Sequence, residues 1–186
     1  MNTKLLIGGL VLTSVLASGF VIGDDDYEDR AKRFWRESSL DVAPVDNALY
    51  AEECGACHFA YQPGLLPARS WRKIMDTLAD HFGENAELGN EEAIKLSAYL
   101  ITNAADHSGY KRSSRIAGSL KADDAPLRFT ETRYFQRQHH ELSKRMVEDN
   151  PQVKSFSRCG VCHTQADKGS YNEHEVKIPG FAHWED

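Results

Sequence analysis

The sequence predicts a mainly α fold in two parts: a compact helical unit over residues 46 to 107, then, over 130 to 186, a helix followed by largely irregular chain. Three observations lead there. Apolar residues recur at spacings of three and four in separate stretches. No stretch of useful length alternates apolar and polar residues as a half-buried strand does. All four cysteines fall into two copies of one frame, "CGACH" at Cys54 to His58 and "CGVCH" at Cys159 to His163, one in each part.

The first element is a leader. Lys4 precedes an uncharged run from Leu5 to Ile22, which ends at Gly23 and the acidic cluster Asp24, Asp25 and Asp26. That is the pattern of a secretory signal over residues 1 to 23, with cuts after Ala17, Gly19 or Gly23, none of them a clean A-x-A site. Left in place, the same run approaches the length of an N-terminal membrane anchor. Either way the folded part is expected outside the cytoplasm, in the periplasm. Removal leaves 163 of 186 residues, one ordinary domain or two very small ones.

Residues 24 to 45 read as an N-terminal arm. Asp46 can then cap a short helix through Ala48, Leu49 and Ala51 that carries Cys54, Cys57 and His58. "YQPGLLPARSW" follows as a tight Pro/Gly loop. From Ser70 as N-cap, "SWRKIMDTLADHFG" sets Trp71, Ile74, Met75, Leu78, His81 and Phe82 on one helical stripe that Gly83 ends. The next helix, "EEAIKLSAYLITNAAD" behind Asn90, carries Ala93, Leu96, Leu100 and Ala104 on one face, with His107 at its end. Residues 108 to 129 form a connector containing Ser, Lys and Arg. In "TRYFQRQHHELSKRMVEDNP" the stripe is Phe135, His139, Leu142 and Met146, with His140 on the wet face, and Asn150-Pro151 stops the helix. The second frame and a loop-rich tail complete the chain.

The frames carry the chemistry. Four cysteines in an oxidising compartment could make two disulfides, but that leaves the histidine after each second cysteine unexplained. Covalent haem explains all three residues: two thiols three positions apart reach both vinyl groups of one porphyrin, and the adjacent imidazole falls beneath the iron as proximal ligand. Cys54 and Cys57 would hold one haem c with His58 on its iron; Cys159 and Cys162 would hold another with His163. A four-thiolate zinc site would leave both histidines idle, and a redox dithiol normally comes with a βαβ alternation absent from this sequence. Each part is too small for a sufficient apolar core of its own, so the porphyrins would also be part of the fold.

The far side of each iron needs a second ligand. For the first, His81 points to the core on its stripe and Met75 shares that stripe; Met75 also suits a flexible core filler, and His107 is the other candidate imidazole. For the second, His139 is the core-facing member of the adjacent pair and His140 the alternative. His174 and His183, in the tail, remain open because periodicity says nothing there.

Charge is unevenly spread. Residues 24 to 107 carry 8 basic and 17 acidic side chains, 111 to 145 carry 9 and 4, and 146 to 186 carry 4 and 7. A basic middle between acidic flanks suits the steering of a charged protein partner, and Lys111, Arg112, Arg115, Arg133, Arg137, Lys144 and Arg145 mark the docking segment. An exported acidic chain does not suit nucleic acid.

Helix, frame, loop, helix, helix is the order of a class I cytochrome c. The stretch "ECGACHFAYQPGLLPARSWRKIMDTLADHFGENAEL", with "YFQRQHHELSKR" and "RCGVCHTQADKGSY", resembles the dihaem cytochrome c family of proteobacteria over nearly all of residues 45 to 180. The loop "AYQPGLLPARSW" is its most specific part. The resemblance implies an electron carrier with a class I-like N-terminal half and a C-terminal half of little regular structure. It implies two histidine ligands per iron, His58 with His81 and His163 with His139. The family's His-Arg-Glu segment reads His139, His140, Glu141 here, a departure at position 140. The resemblance further implies electron donation to a small high-spin monohaem cytochrome c that binds oxygen, or a link from a membrane cytochrome b. The competing expectation is a dihaem enzyme, a peroxidase or nitrogen-oxide reductase, with one open or displaceable axial position; a third keeps the leader as the anchor of a haem-carrying subunit in a membrane complex.

Overall fold

In order along the chain, six helices organise the described residues: α1 Ala48–Gly55, α2 Ala68–Asp76, α3 Asn90–Thr102, α4 Lys111–Gly118, α5 Arg133–Gln138 and α6 Cys159–Cys162. The structure, a computed structural model, describes residues 40–181. The leader, most of the arm and His183 lie outside the described residues. Among those residues no strand ladder occurs, only three isolated bridges: His81 with Glu84, His163 with Val176, and Ile178 with Phe181. No described helix is long and apolar enough to cross a membrane.

The first core forms where α1, α2 and α3 meet. Tyr50 from α1, Trp71 and Ile74 from α2, and Leu96, Leu100 and Ala104 from and just beyond α3 make its buried cluster, with Leu49, Cys54 and Met75 packed around it. The three-and-four spacing puts these side chains inside because a side chain the size of Ile74, Leu96 or Leu100 is about 1.5–3 kcal/mol better off buried than wet. Asn47, not Asp46, caps α1, its Oδ1 accepting from Tyr50 N at 3.0 Å. Ser70 does not cap α2, which begins two residues earlier behind Pro67; the cap comes from outside, Asp106 Oδ1 accepting from Ala68 N at 2.8 Å. Asn90 is the first residue of α3, whose N-cap is Gly89, and Glu91 and Glu92 place negative charge on its positive end.

Two helices are shorter than periodicity predicts. α2 stops at Asp76 because the Thr77 hydroxyl donates back to Lys73 O at 2.9 Å and a 3₁₀ turn follows over Leu78–Asp80. Phe82 then takes a positive φ of 59°, closing a turn in which His81 N donates to Glu84 O at 2.7 Å. His81 is therefore set by this turn and not by a helical stripe. α5 ends at Gln138, and the run to Met146 continues as a turn and a short 3₁₀ segment. Here adjacent imidazoles sit on the last-turn carbonyls, His139 Nδ1 at 3.0 Å from Phe135 O and His140 Nδ1 at 3.0 Å from Arg137 O.

The loop "YQPGLLPARS" is the centre of the molecule. Gln62 through Ala68 are all buried, with Trp71 Nε1 donating to Pro63 O at 2.8 Å and Ala105 N to Leu66 O at 2.9 Å. Gly64 lies so close to Ser113 of α4 that a Cβ there would collide with its hydroxyl. The segment read as a connector thus folds into α4, which buries Ser113 and Ile116 against this loop. Val42, Leu65, Ala105, Ile116 and Tyr134 form a second core that joins the two parts, and the described residues pack as one compact unit. The tail is irregular, held by turns at Ala166–Lys168 and Glu173–Glu175.

Candidate functional site

The two frames lie in different local structures. Cys54 is in the last turn of α1, half-buried against the first core, whereas Cys57 and His58 follow in an exposed turn. Cys159 and Cys162 begin and end the single turn of α6, and His163 N donates to Cys159 O at 2.8 Å, bringing the imidazole back beside the cysteines. All four thiols are free of disulfides. Burial pushes Cys54 and Cys159 up to about 11, the opposite of the low-pKa thiolate of a redox dithiol or zinc site.

Each frame histidine faces one other imidazole. His81 stands opposite His58 with ring centroids 6.1 Å apart and planes at 20°. His139 stands opposite His163 with centroids again 6.1 Å apart, but planes at 76°. His107 and His140 are exposed and turn Nδ1 to carbonyls of their own segments, Ile101 O at 2.7 Å and Arg137 O at 3.0 Å. His174 is exposed in the tail. Met75 packs with the first core, as a filler would.

The spacing can be tested against a haem iron. A metal–imidazole bond is about 2 Å long and a five-membered ring has a centroid-to-atom radius of about 1.1 Å, so two imidazoles on opposite axial positions have centroids about 6.3 Å apart. Both pairs match. Tautomers match as well: a carbonyl only accepts, so His58 Nδ1, 2.7 Å from Phe59 O, and His139 Nδ1 must carry the proton, leaving each Nε2 lone pair free for a metal. Burial, followed by neighbouring positive or imidazole groups, lowers the pKa of His81, His139 and His163, the last to about 4, so these rings are neutral donors at neutral pH. Among the described residues no three His, Cys, Asp or Glu side chains converge on one metal position. Donors that come in facing pairs suit a metal whose remaining positions a macrocycle fills.

The second pair lines a cavity of about 420 Å³ whose walls include Phe129, Tyr134, Phe135, Phe156 and Tyr171, with Arg112 and Arg158 at its margin. Aromatic walls and guanidinium groups suit a flat ring system bearing carboxylates. His139 is clamped in this cavity: its ring stacks on Phe135 at 3.9 Å and 14°, and meets Phe156 edge-on at 6.0 Å. Beyond His163 lies Tyr171, 5.2 Å between rings, and beyond that the ion pair of Arg112 and Asp41 at 2.9 Å. Arg112 also donates to Tyr134 Oη at 2.9 Å and Tyr171 O at 3.3 Å, which takes it out of the free basic surface expected of it. Tyr61, Tyr171, Gln62 and Asp41 are the site neighbours that sequence reasoning missed; single polar residues in loops carry no periodic signal.

A mainly helical chain with two Cys-x-x-Cys-His frames, each opposed by a second imidazole, defines a dihaem c-type cytochrome. The comparison with known families agrees: the model of the dihaem cytochrome c family matches residues 50–171, and this chain belongs to that family. It is similar to a solved diheme cytochrome c from Rhodobacter sphaeroides, with 43% identity over 70% of this chain and 100% of the other and a TM-score of 0.62. It is equally similar in fold to a diheme cytochrome type c from Shewanella baltica OS155, with 40% identity, coverage of 76% and 99%, and a TM-score of 0.62. No curated protein matches it. Two haem c groups, on Cys54 with Cys57 and on Cys159 with Cys162, are its cofactors.

Proposed function

We propose that this dihaem cytochrome is an exported electron carrier whose two irons are each closed by two imidazoles, His58 with His81 and His163 with His139. The observation that carries the reading is the common 6.1 Å spacing of both ring pairs. Haem supplies a reversible one-electron couple; the chain would supply two imidazoles to each iron, with His58 and His139 oriented by the carbonyls of Phe59 and Phe135. Held by His58 with His81 and by His163 with His139, the two irons would keep no coordination site for peroxide, oxygen or a nitrogen oxide, which is why transfer is favoured over catalysis. Imidazole pairs lack the thioether that raises potential in His/Met cytochromes, so both couples are low. Unequal surroundings, an exposed His58 against a His163 deep in an aromatic cavity, make them unequal.

The location follows from the leader at residues 1 to 23, and the partners are other redox proteins, a small monohaem cytochrome c or a membrane cytochrome b among them. Exposed Lys111, Arg115, Arg133, Arg137, Lys144 and Arg145 support an acidic docking partner. The testing experiment is a potentiometric titration with carbon monoxide challenge of the reduced holoprotein. Two separable low-potential couples and no carbon monoxide adduct support the carrier; an adduct at either haem supports the enzyme reading instead.

A further inference from the structure

We propose that Tyr61, assisted by Gln62 and Tyr171, is the link through which an electron passes between the two haem sites. The inference rests on the carrier reading above and goes beyond it by assigning the route.

Tyr61 touches both sites with its two ends. Its ring lies 5.4 Å from that of His58, while its hydroxyl donates to Ser157 O at 2.6 Å. The Cys159 sulfur lies 3.8 Å from the same carbonyl oxygen. One side chain and one carbonyl, those of Tyr61 and Ser157, therefore run from the proximal imidazole of the first site to the attachment sulfur of the second. The neighbouring residue makes a second bridge: Gln62, fully buried, accepts from the Tyr171 hydroxyl at 2.6 Å and donates from Nε2 to Ala166 O. Tyr171 in turn lies edge-on to His163. Residues 61 and 62 thus reach the second frame through one intermediary each, Tyr61 through the Ser157 carbonyl to Cys159 and Gln62 through Tyr171 to His163.

Tunnelling weakens far less along covalent and hydrogen-bonded contacts than across open gaps, and a buried path keeps water from rearranging around the moving charge. Burial pushes the Tyr61 hydroxyl up to about 12, so it stays protonated. One electron leaves the reduced site and arrives at the oxidised one; both tyrosines keep their O–H protons and neither is itself oxidised. A structural role alone would be met by any partner for a buried hydroxyl. It does not account for a chain of contacts that begins on His58 and leads, through Ser157 and through Tyr171, to Cys159 and His163.

The test compares wild-type holoprotein with Tyr61→Phe, Tyr61→Leu and Tyr171→Phe. Each is reduced by less than one electron per molecule in a fast pulse, then frozen at intervals, and EPR follows which ferric signal disappears. The result expected is redistribution slowed about threefold in Tyr61→Phe and about tenfold in Tyr61→Leu, with both potentials and both low-spin signals unchanged. Tyr171→Phe slows it less than Tyr61→Phe. Wild-type redistribution in Tyr61→Phe overturns the proposal, and because that variant loses only a hydroxyl it reads the link even if Tyr61→Leu fails to fold. Failure of the carrier reading looks different: wild-type protein would then lack two low-spin ferric signals at the outset.

Discussion

The Phe135 ring stacks on the His139 imidazole at 3.9 Å and 14°, and the carbonyl of the same phenylalanine holds His139 Nδ1 at 3.0 Å. One residue fixes the position, the plane and the tautomer of the other. Phe156 closes the remaining side, edge-on to both rings. The His139 imidazole is therefore preorganised by packing before any metal bond is considered.

Replacing Phe135 by Leu keeps the backbone carbonyl and removes the stack. The second site should keep its low-spin spectrum but with a changed ligand-plane angle, seen as a shift of its EPR signal alone, together with a loss of about 1–3 kcal/mol in urea unfolding. An unchanged EPR spectrum would mean that the carbonyl bond by itself sets the plane.

His81→Ala and His139→Ala should each convert one haem to a high-spin form that binds carbon monoxide, at about one site per molecule. His107→Ala and His140→Ala should leave the spectra untouched, since both rings are exposed and turned to their own carbonyls. Loss of a low-spin signal in His140→Ala would reassign the distal ligand of the second site.

How much of this was readable beforehand differs by residue. The frames at Cys54 and Cys159 were legible because covalent haem attachment demands fixed local spacing, and the Leu96, Leu100 and Ala104 stripe because burial enforces helical period. His81 was chosen as a candidate on the assumption of a continuous helix, yet it is delivered by the turn after Thr77, where a side-chain bond to Lys73 O competes with the ladder. His139 likewise sits at the end of a helix shorter than its stripe. The buried character of Gln62 through Ala68 was not legible: composition marks a Pro/Gly loop, but only the fold reveals that α4 and the tail close over it. Arg112 reads as surface charge in sequence and becomes a half-buried partner of Asp41 through a contact 71 positions away.

Gly169 adopts φ of 81°, a Cβ added there would collide with the Val42 carbonyl oxygen, and its own carbonyl accepts from Asp41 N and Val42 N at 3.1 and 3.2 Å. Gly169→Ala must strain the backbone and push away the segment that carries Asp41. A loss of about 1–3 kcal/mol in urea unfolding is expected, with the second haem more exposed to solvent than the first. A neutral result would show that the arm is not tied to the tail here.

Burial raises the Tyr61 hydroxyl from 10.0 to about 12, and burial likewise raises Tyr171 well above its ordinary value. The folded protein holds these protons more tightly than the unfolded chain does, so their contribution is intact below pH 10 and is lost as pH rises from 10 towards about 12. Urea midpoints should fall across that window, and tyrosinate absorbance from these residues should appear together with unfolding. Tyrosinate that titrates fully near pH 10 in folded protein would show that the two hydroxyls are open to water.

The central claim is that paired imidazoles close both irons, and low-temperature EPR of the oxidised holoprotein tests it most directly. Ring planes at 20° in the first pair split the iron orbitals strongly, while planes at 76° in the second leave them nearly degenerate. The expected spectrum has two low-spin ferric signals of equal intensity, one rhombic with three resolved features and one dominated by a single feature at low field. An axial high-spin signal accounting for one haem or both would contradict the account.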